Sequence, residues 1–327
     1  MASILLTSAA PPSDDQWPYP YDQLERMRLS ASRDKHGVHT LCDDPTAADV
    51  ILFVENADPI RHYLQVRRHP YYREYADKCY LHSRYDHPLP LLPGIYPSIE
   101  AGWHKPHWTR SGGYLVAFTN DFAEYDGGTT DRRYLFSFMG AAFNHPLRED
   151  LLSLPADNAY LLDTTPYWPY GDLNPQGKAA LEEQYQEVAL QSQFVVCPRG
   201  RGPSSIRLFE TMRMGRPPVI VSDAWVPPDG PDWNAFSVRV PEADLQALPD
   251  LLAARASEAK DMGRRARAAW ADWFSVESTF HRCADACLDM QATRRGPFAL
   301  HRAVSAAEIL RPIHFRALLR TLWTIRT

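Results

Sequence analysis

Apolar and polar segments alternate along the chain in lengths typical of strands and helices. Apolar runs at 3–7, 38–42 and 49–55 predict three strands, and the periodic stretch from Tyr21 to about Arg33 predicts a helix after the first of them. Strand, helix, strand, turn and strand are the opening of a Rossmann-like domain with a parallel sheet. The first part of the sequence therefore predicts an α/β fold.

An aromatic segment interrupts this pattern at residues 61–108, which are crowded with Tyr, His, Pro and Arg. Such a composition predicts a surface loop system of fixed shape rather than regular helices. Aromatic faces beside His, Asp and Arg suit a sugar ring, although the same side chains would also cover a core. The glycine pair at 112–113 precedes a strand-like run from Tyr114 to Thr119.

The alternation of strands and helices resumes after a short polar, Gly-rich stretch at 124–130, which predicts a domain boundary. Strands are expected at 133–140, 159–165, 194–197, 219–221 and 237–240, with helices at 147–154 and 176–192. The chain beyond Pro241 is helical by pattern, with helices expected near 253–273 and 277–294. We therefore expect two Rossmann-like domains, at 1–125 and 126–295, and a closing helix at 296–327 that packs back on the first.

Candidate chemistry concentrates in residues 193–223, where a strand, a Gly/Arg/Pro loop, a helix and a second strand follow one another. Ser204 or Ser205 is a suitable N-cap, and the free N–H groups of a helix N-terminus bind anions. Arg199, Arg201 and Arg207 flank that position, and guanidinium groups bind phosphate in a bidentate manner. The pattern indicates a diphosphate site, the alternatives being a solvated basic loop and a surface ion pair between Arg207 and Glu210.

Composition limits the class of protein. The chain has 327 residues, 45% hydrophobic and 23% charged, with a net charge of −5, which is typical of a globular protein of two ordinary domains with no general affinity for nucleic acid. The N-terminus lacks the pattern of a signal peptide, and no stretch is long and apolar enough to span a bilayer. The five cysteines form no CxxC pair, so free thiols in a reducing cytoplasm are expected.

Four sequence motifs in a fixed order point to a known family. They are CPRG (197–200), SIRLFE (205–210), GRPPVIVSD (215–223) and DWNAFSVRVPEADL (232–245). Together they resemble the C-terminal half of exostosin-like glycosyltransferases, with a weaker likeness at 136–148. WTRSGG (108–113) is similar to a W-x-R-S-G-G element of that family, but Leu115 and Val116 stand where Asp-His normally follows.

The resemblance implies a GT-B fold, in which two Rossmann-like domains face each other across a cleft, and it suggests a bacterial, cytoplasmic member without a membrane anchor. It implies transfer of a sugar, with inversion, from a nucleotide diphosphate sugar to a hydroxyl of a carbohydrate or glycoconjugate acceptor. A UDP-sugar is favoured over a GDP-sugar, and no cofactor or metal is expected, since no Asp-x-Asp stands in a suitable loop. The donor site implied in this way consists of Arg133, Gly140, Arg199, Gly200, Ser204, Ser205, Arg207, Glu210 and Asp223.

Within that donor site, Arg199 and the helix terminus are expected to hold the diphosphate, while Glu210 accepts hydrogen bonds from the ribose hydroxyls. An inverting reaction also needs a base for the acceptor hydroxyl, which the first domain should supply. The candidates are Glu55, Asp58, His82, Asp86 and His87. Asp86 is preferred, because the segment YDHPLP places a carboxylate beside a histidine in the aromatic segment.

Two other functional classes compete with the transferase. A catalytically silent sugar- or nucleotide-binding protein of the same fold would account for the missing Asp-His. A dehydrogenase is disfavoured, because the first strand is followed by SAAPPSDD instead of the G-x-G-x-x-G of a dinucleotide site.

Overall fold

The structure, a computed structural model, describes residues 1–9, 23–55, 59–119, 121–167 and 175–310, together with Phe315. Within these residues the strands form two parallel sheets, one of six strands and one of five. Helices pack against both sheets, which gives two Rossmann-like halves. The predicted GT-B class of α/β fold is therefore confirmed.

The first sheet has the strand order β2-β1-β3-β4-β5-β6. Its strands are β1 (Ser3–Thr7), β2 (Thr40–Leu41), β3 (Val50–Glu55), β4 (Cys79–Ser83), β5 (Gly94–Ile95) and β6 (Thr109–Arg110). All six residues of β3 are buried, as expected for a central strand that is covered on both faces. Because every pair is parallel, the carboxyl ends of the strands share one edge.

The aromatic segment contains more regular structure than its composition predicts. After α1 (Gln23–Ser32) the chain forms α2 (Pro59–Arg68) and α3 (Pro70–Tyr75), and strand β4 follows. The loop prediction was wrong here because proline is tolerated in the first turn of a helix, where its missing N–H costs nothing. Pro70 takes that position in α3, and the ring of His69 caps the helix by accepting from the backbone N–H of Tyr71.

The strand expected at 114–119 is instead a 3₁₀ turn (Leu115–Thr119). Leu115, Ala117 and Phe118 are all buried, because the turn packs between α1 and the helix Ile206–Arg213. The loop that precedes this helix, residues 199–205, is named the arginine loop. A run of apolar residues that is covered on all sides does not need the alternation of a strand. The apolar run therefore predicts the burial of this segment correctly, but the prediction of a strand was wrong.

The second sheet has the strand order β11-β10-β9-β7-β8, again parallel throughout. Its strands are β7 (Tyr134–Gly140), β8 (Ala159–Asp163), β9 (Ser192–Pro198), β10 (Pro218–Val221) and β11 (Val238–Arg239). The helices of this half are α4 (Pro146–Leu152), α5 (Pro175–Leu190), α6 (Ile206–Arg213), α7 (Trp233–Phe236), α8 (Leu248–Ala254) and α9 (Ala259–Trp273). These strands agree with the predicted ones to within a few residues.

Helix α10 (Val276–Thr293) follows α9 and packs against α1 and the first sheet. Ser30 of α1 links the two helices, since its hydroxyl donates to the carbonyl of Val276 at 2.6 Å and accepts from the N–H of Phe280 at 2.8 Å. The return to the first half, expected beyond residue 296, therefore already takes place in α10. Helix α11 (Phe298–Ala306) comes after it, and of residues 311–327 only Phe315 is described, so the predicted domain limits stay a prediction.

One hydrophobic core joins the two halves. It combines residues of the first sheet, such as Val54 and Tyr80, with Phe209 of α6 and Phe274 at the end of α9. The rings of Phe209 and Phe274 meet edge to face with centroids 4.9 Å apart. Within the described residues, no helix has the length and apolar character that a membrane span needs.

Candidate active site between the two halves

The loop between β9 and α6 carries the predicted anion site, and its secondary structure is the one predicted from the sequence. Strand β9 ends at Pro198 and α6 begins at Ile206, with Ser205 at the N-cap position. The Ser205 side chain makes no capping hydrogen bond with the helix. The first turn of α6 thus opens at the carboxyl edge of the second sheet, where parallel α/β proteins bind ligands.

Arg148 fixes the shape of this loop from below. Its buried guanidinium donates to the carbonyl of Arg199 at 2.9 Å and to the carbonyl of Ala141 at 3.2 Å. Gly200 lies directly over it, because a Cβ on that residue would stand 2.9 Å from Nη2 of Arg148. A buried charge that binds loop carbonyls costs much to leave unpaired, so Arg148 holds the loop in one conformation.

The side chain of Arg199 lies against the carboxylate of Glu242, at the start of the 3₁₀ turn Glu242–Ala247 that follows β11. Its Nη1 is 3.5 Å from Oε1 of Glu242, and Glu242 also exchanges two hydrogen bonds with Asp223, at 3.0 and 3.2 Å. Nε of Arg199 is buried and has no hydrogen-bond partner among the described residues. Asp223, a residue of the expected donor site, is exposed and positions Glu242 in this structure.

Two buried hydroxyls next to the arginine loop also lack partners. Ser205 and Ser222 are both more than nine-tenths buried, and neither Oγ atom has a hydrogen-bond partner in the described part of the chain. Buried polar groups in folded proteins are nearly always paired, so unpaired ones call for a reason. A bound group rich in oxygen atoms, such as a diphosphate, would satisfy them.

Arg207 and Gly140 meet at the end of β7. Nε of Arg207 donates to the carbonyl of Met139 at 2.7 Å, and its guanidinium lies 5.6 Å from the centroid of the Phe138 ring. A Cβ on Gly140 would stand 2.7 Å from that ring and 3.0 Å from Nη2 of Arg207. Both residues therefore lie at the carboxyl edge that bears the arginine loop.

Glu210 is buried, which is not the position of a residue in a surface ion pair. It lies beside Tyr185 of α5, and burial followed by the nearby Glu210 charge raises the pKa of the Tyr185 phenol well above its ordinary value. Its predicted contact with ribose remains a prediction.

Arg133 is the one proposed donor residue that the structure places elsewhere. It comes immediately before β7, whereas Gly140 ends that strand, so the two are separated by the whole length of β7. Since the strands are parallel, Arg133 lies at the amino edge of the sheet, opposite the arginine loop. Its assignment to the donor site was wrong, because a sequence motif does not state which end of a strand faces the ligand.

Asp86 of the first half faces the arginine loop directly. A Cβ built on Gly202 would overlap the backbone carbonyl of Asp86 and the hydroxyl of Ser98, so these segments touch. The same Ser98 hydroxyl accepts from the N–H of Ser204 at 3.3 Å. The structure therefore brings the preferred base and the predicted phosphate loop to the same cleft.

The environment of Asp86 changes its acidity. Although solvent reaches the residue, the protein packed around it limits hydration of its carboxylate and raises its pKa from the ordinary value of 3.8. The positive groups that oppose this rise belong to His87, Arg201, Arg84 and Arg148. Nearby Tyr114 is buried, and desolvation, with the charge of Asp86, raises the pKa of its phenol. A carboxylate in such surroundings is a stronger base than one in water.

Glu55 and His82, two of the other proposed bases, have different surroundings. Glu55 is buried and accepts from the Ser8 hydroxyl at 2.9 Å and from the Ala9 N–H at 2.6 Å, so it closes the end of β1. His82 is fully buried in β4, and burial lowers its pKa to about 4. Neither side chain shares the surroundings of the Asp86 carboxylate beside the arginine loop. Asp58 lies outside the described residues.

Sequence reasoning missed several residues of the cleft, namely Arg148, Glu242, Ser222 and Ser98. Each reaches the site through the fold rather than through a local motif. The only sequence signal is weak: Arg148 and Glu242 both follow a proline closely, at the start of a helix or a 3₁₀ turn.

Parts of this chain are similar in sequence to known proteins. Residues 102–254 match the Exostosin GT47 domain, and this range contains the arginine loop, α6 and Glu242. The chain is 41% identical over 71 residues to an Exostosin-1 homolog of Caenorhabditis elegans, a match that covers 21% of this chain and 19% of that protein. It is 28% identical over 212 residues to Exostosin-2 of Bos taurus, covering 56% of this chain and 29% of that protein. The chain thus spans less than a third of the length of these relatives.

Two solved structures match most of this chain at low similarity. A glycosyltransferase from Rickettsia africae has a TM-score of 0.44 at 12% identity, over 90% of this chain and 99% of that one. The HepE protein of Anabaena in complex with UDP has a TM-score of 0.39 at 11% identity, over 87% and 99% of the two chains.

Proposed function

We propose that this chain is an exostosin-like glycosyltransferase that moves a sugar from a nucleotide diphosphate sugar to a hydroxyl group of a carbohydrate or glycoconjugate acceptor, with inversion at the anomeric carbon. The observation that carries the proposal is the contact between the segment of Asp86 and the arginine loop at Gly202. On this proposal the contact joins the base, Asp86, whose pKa is raised, to the loop that binds the diphosphate.

The donor diphosphate would lie over residues 199–205 at the start of α6. The helix terminus supplies N–H groups and a positive dipole end. Arg199 has an unpartnered Nε among the described residues, and Ser205 and Ser222 have unpartnered hydroxyls there. On this proposal Glu210 binds the ribose, and the resemblance of the motifs favours UDP over GDP.

Asp86 would take the proton of the acceptor hydroxyl as the hydroxyl oxygen attacks the anomeric carbon. The bond between that carbon and the diphosphate breaks at the same time, which leaves a nucleoside diphosphate as the leaving group. Its developing charge needs stabilisation, and preorganised cations and N–H groups provide this in a dry cleft. We propose that Arg199 and the α6 terminus do so without a metal ion.

The test is turnover with a panel of UDP- and GDP-sugars, with release of nucleoside diphosphate as the readout, together with direct binding of UDP and GDP. Arg199→Ala is expected to weaken nucleotide binding by about 10- to 100-fold, which corresponds to the loss of a hydrogen bond to a charged group. Arg133→Ala is the matched control, because Arg133 lies at the far edge of the same sheet, and it should bind as the unmodified protein does.

Three outcomes separate the possibilities. Normal nucleotide binding by Arg199→Ala and Glu210→Ala would refute the donor site. Binding of a nucleotide sugar without transfer or hydrolysis, with every acceptor class offered, would favour the silent binding protein suggested by Leu115 and Val116. Metal independence is refuted if turnover stops with chelator and returns with Mg²⁺ or Mn²⁺.

A further inference from the structure

Three histidines and one aspartate gather where the chain after α1 meets α10. His39 and His281 are both buried, with side chains 2% and 10% exposed, whereas the side chain of Asp285 is 48% exposed. His36 stacks on His281 with ring centroids 4.0 Å apart and an angle of 14° between the planes. The cluster is therefore enclosed by imidazole rings on one side and open to solvent through its carboxylate.

Two elements of the chain supply the side chains of this cluster. His36 and His39 stand three residues apart in the segment HGVH, which leaves α1 and enters β2. His281 and Asp285 stand four residues apart on α10, so they share one face of that helix. Ligands delivered by an i, i+4 pair on one helix and by His39 on a second element are typical of metal sites built from His and carboxylate groups.

The distances between the donor atoms fit a small divalent cation. Oδ1 of Asp285 is 2.9 Å from Nε2 of His39, and Oδ2 is 3.2 Å from Nε2 of His281. One ligand atom from each of the three residues lies within 4.8 Å of the other two. Ligands of tetrahedral zinc, with Zn–N near 2.0–2.1 Å, stand about 3.3–3.5 Å apart. Both contacts are close to that spacing, and because they involve the two different oxygens of one carboxylate, Asp285 can bind the ion through either oxygen.

Hydrogen bonding alone accounts for only part of the cluster. The single carboxylate of Asp285 pairs with one nitrogen of His39 and one of His281. Nδ1 of both rings and Nε2 of His36 are buried without a hydrogen-bond partner in the described ranges of the chain. Two buried imidazoles that meet on one carboxylate are also the ordinary composition of a metal site.

We propose that His39, His281 and Asp285 form a Zn²⁺-binding site that ties α10 to the first half, with the ring of His36 stacked on His281 and not bound to the ion. The nitrogen and carboxylate donors suit zinc better than Mg²⁺ or Ca²⁺, which prefer sites made of oxygen. The ligands come from the α1–β2 segment and α10, neither of which carries a residue of the nucleotide cleft. The bound ion is structural and does not enter the sugar transfer.

The experiment uses the full chain freed of any purification tag, stripped with chelator and returned to metal-free buffer. Titration with ZnCl₂, followed by calorimetry and by elemental analysis after gel filtration, should give one Zn²⁺ per chain and a higher melting temperature. Cobalt(II) chloride serves as a second probe, because tetrahedral Co²⁺ has an intense visible absorption that octahedral Co²⁺ lacks.

Variants connect that ion to these residues. His39→Gln and His281→Gln should each weaken zinc binding more than about 100-fold, since loss of even an outer partner of a ligand costs 10- to 100-fold. Asp285→Asn keeps the shape of a more exposed residue and tests the site if the histidine variants do not fold. His301→Gln on α11 is the control and should bind zinc normally. A stripped wild type that takes up no zinc, or uptake that these substitutions leave unchanged, would overturn the proposal.

Discussion

Gly202 lies against the backbone carbonyl of Asp86, so closely that a Cβ at this position would overlap the carbonyl oxygen. The two residues belong to different halves of the chain. Asp86 is the proposed base, and Gly202 belongs to the loop proposed to bind the diphosphate. The absence of a side chain at Gly202 is what allows the base and the phosphate loop to share one cleft.

Gly202→Ala should therefore push the arginine loop away from Asp86 while leaving the fold intact. A displacement of about 1 Å between reacting groups costs up to about 100-fold in rate, and we expect a loss of that order in kcat/KM. Gly102→Ala is the matched control, because a Cβ at Gly102 meets nothing within 4 Å. Equal activity of the two alanine variants would mean that the contact plays no part in the reaction.

Asp86→Asn tests the base itself through two opposite effects. Without a base, kcat should fall by about 10²- to 10⁴-fold, and the acidic limb of the pH profile should disappear. The pKa of Asp86 is higher in the folded state than in the unfolded state. Ionisation of its carboxylate therefore lowers the free energy of unfolding as the pH rises through these two pKa values. The uncharged variant should consequently be more stable than the parent protein at neutral pH.

Kinetics and urea unfolding of Asp86→Asn, measured on the same preparation, check both effects. Asp77→Asn, at an exposed position before β4, is the control and should change neither activity nor stability. A variant that loses activity together with stability would indicate a structural role for Asp86 and would remove it as the base.

An ion pair anchors the Gly-rich stretch at 124–130. Nη2 of Arg216, whose side chain is 0% exposed, lies 3.2 Å from Oδ2 of Asp126. Removing one partner of a buried pair typically costs about 3–5 kcal/mol, so Asp126→Ala should lower the free energy of unfolding by about that amount. Glu124→Ala breaks a neighbouring pair with Arg213 in which Glu124 is 65% exposed, and it should cost less than about 1 kcal/mol.

The same ion pair predicts a dependence on pH. Burial raises the pKa of Asp126, but hydrogen bonds from Thr130 and Gly128 and the charge of Arg216 outweigh it and bring the pKa to about 2. Stability from this group is complete above the unfolded pKa near 4 and is lost as the pH falls toward 2. Unfolding measured between pH 5 and 2 should show a smaller loss in Asp126→Ala than in the parent, and identical slopes would contradict the assignment.

Thiol reactivity provides a test of the packing. Cys42 is half-buried, and the remaining four cysteines are buried, namely Cys79, Cys197, Cys283 and Cys287. Burial raises the pKa of Cys197 and of Cys283 to about 12, which suppresses the reactive thiolate. An aromatic disulfide reagent at pH 8 should react with one thiol in the folded protein and with five after unfolding. Cys42→Ser should abolish the reaction of the folded protein, and modification of a second thiol before unfolding would show that the core is looser than described.

The strand, loop and helix around Arg199 could be predicted from the sequence because local chemistry determines each part. Strand β9 is a continuous apolar run that a proline ends, and α6 has apolar residues at helical spacing. Glycine and proline in between mark the loop. These signals act over a few residues, so a single sequence contains all of them.

The partners of that loop could not be predicted in this way. The hydrogen bond from Arg148 to Arg199 joins residues 51 positions apart, and the pair of Arg199 with Glu242 spans 43 positions. Such contacts depend on the order of strands in the sheet and on the packing of helices over it. For the same reason Arg133 looked like a donor residue until the direction of β7 was known.

The placement of α10 has a consequence for the way the chain is made. The face of the first sheet that α1 and α10 cover becomes complete only when residues 276–293 have been synthesised. During synthesis on the ribosome, part of the apolar surface of the first half therefore stays uncovered until the second sheet has emerged. Synthesis of the second half is thus also the step that completes the first, so the two halves mature together rather than in turn.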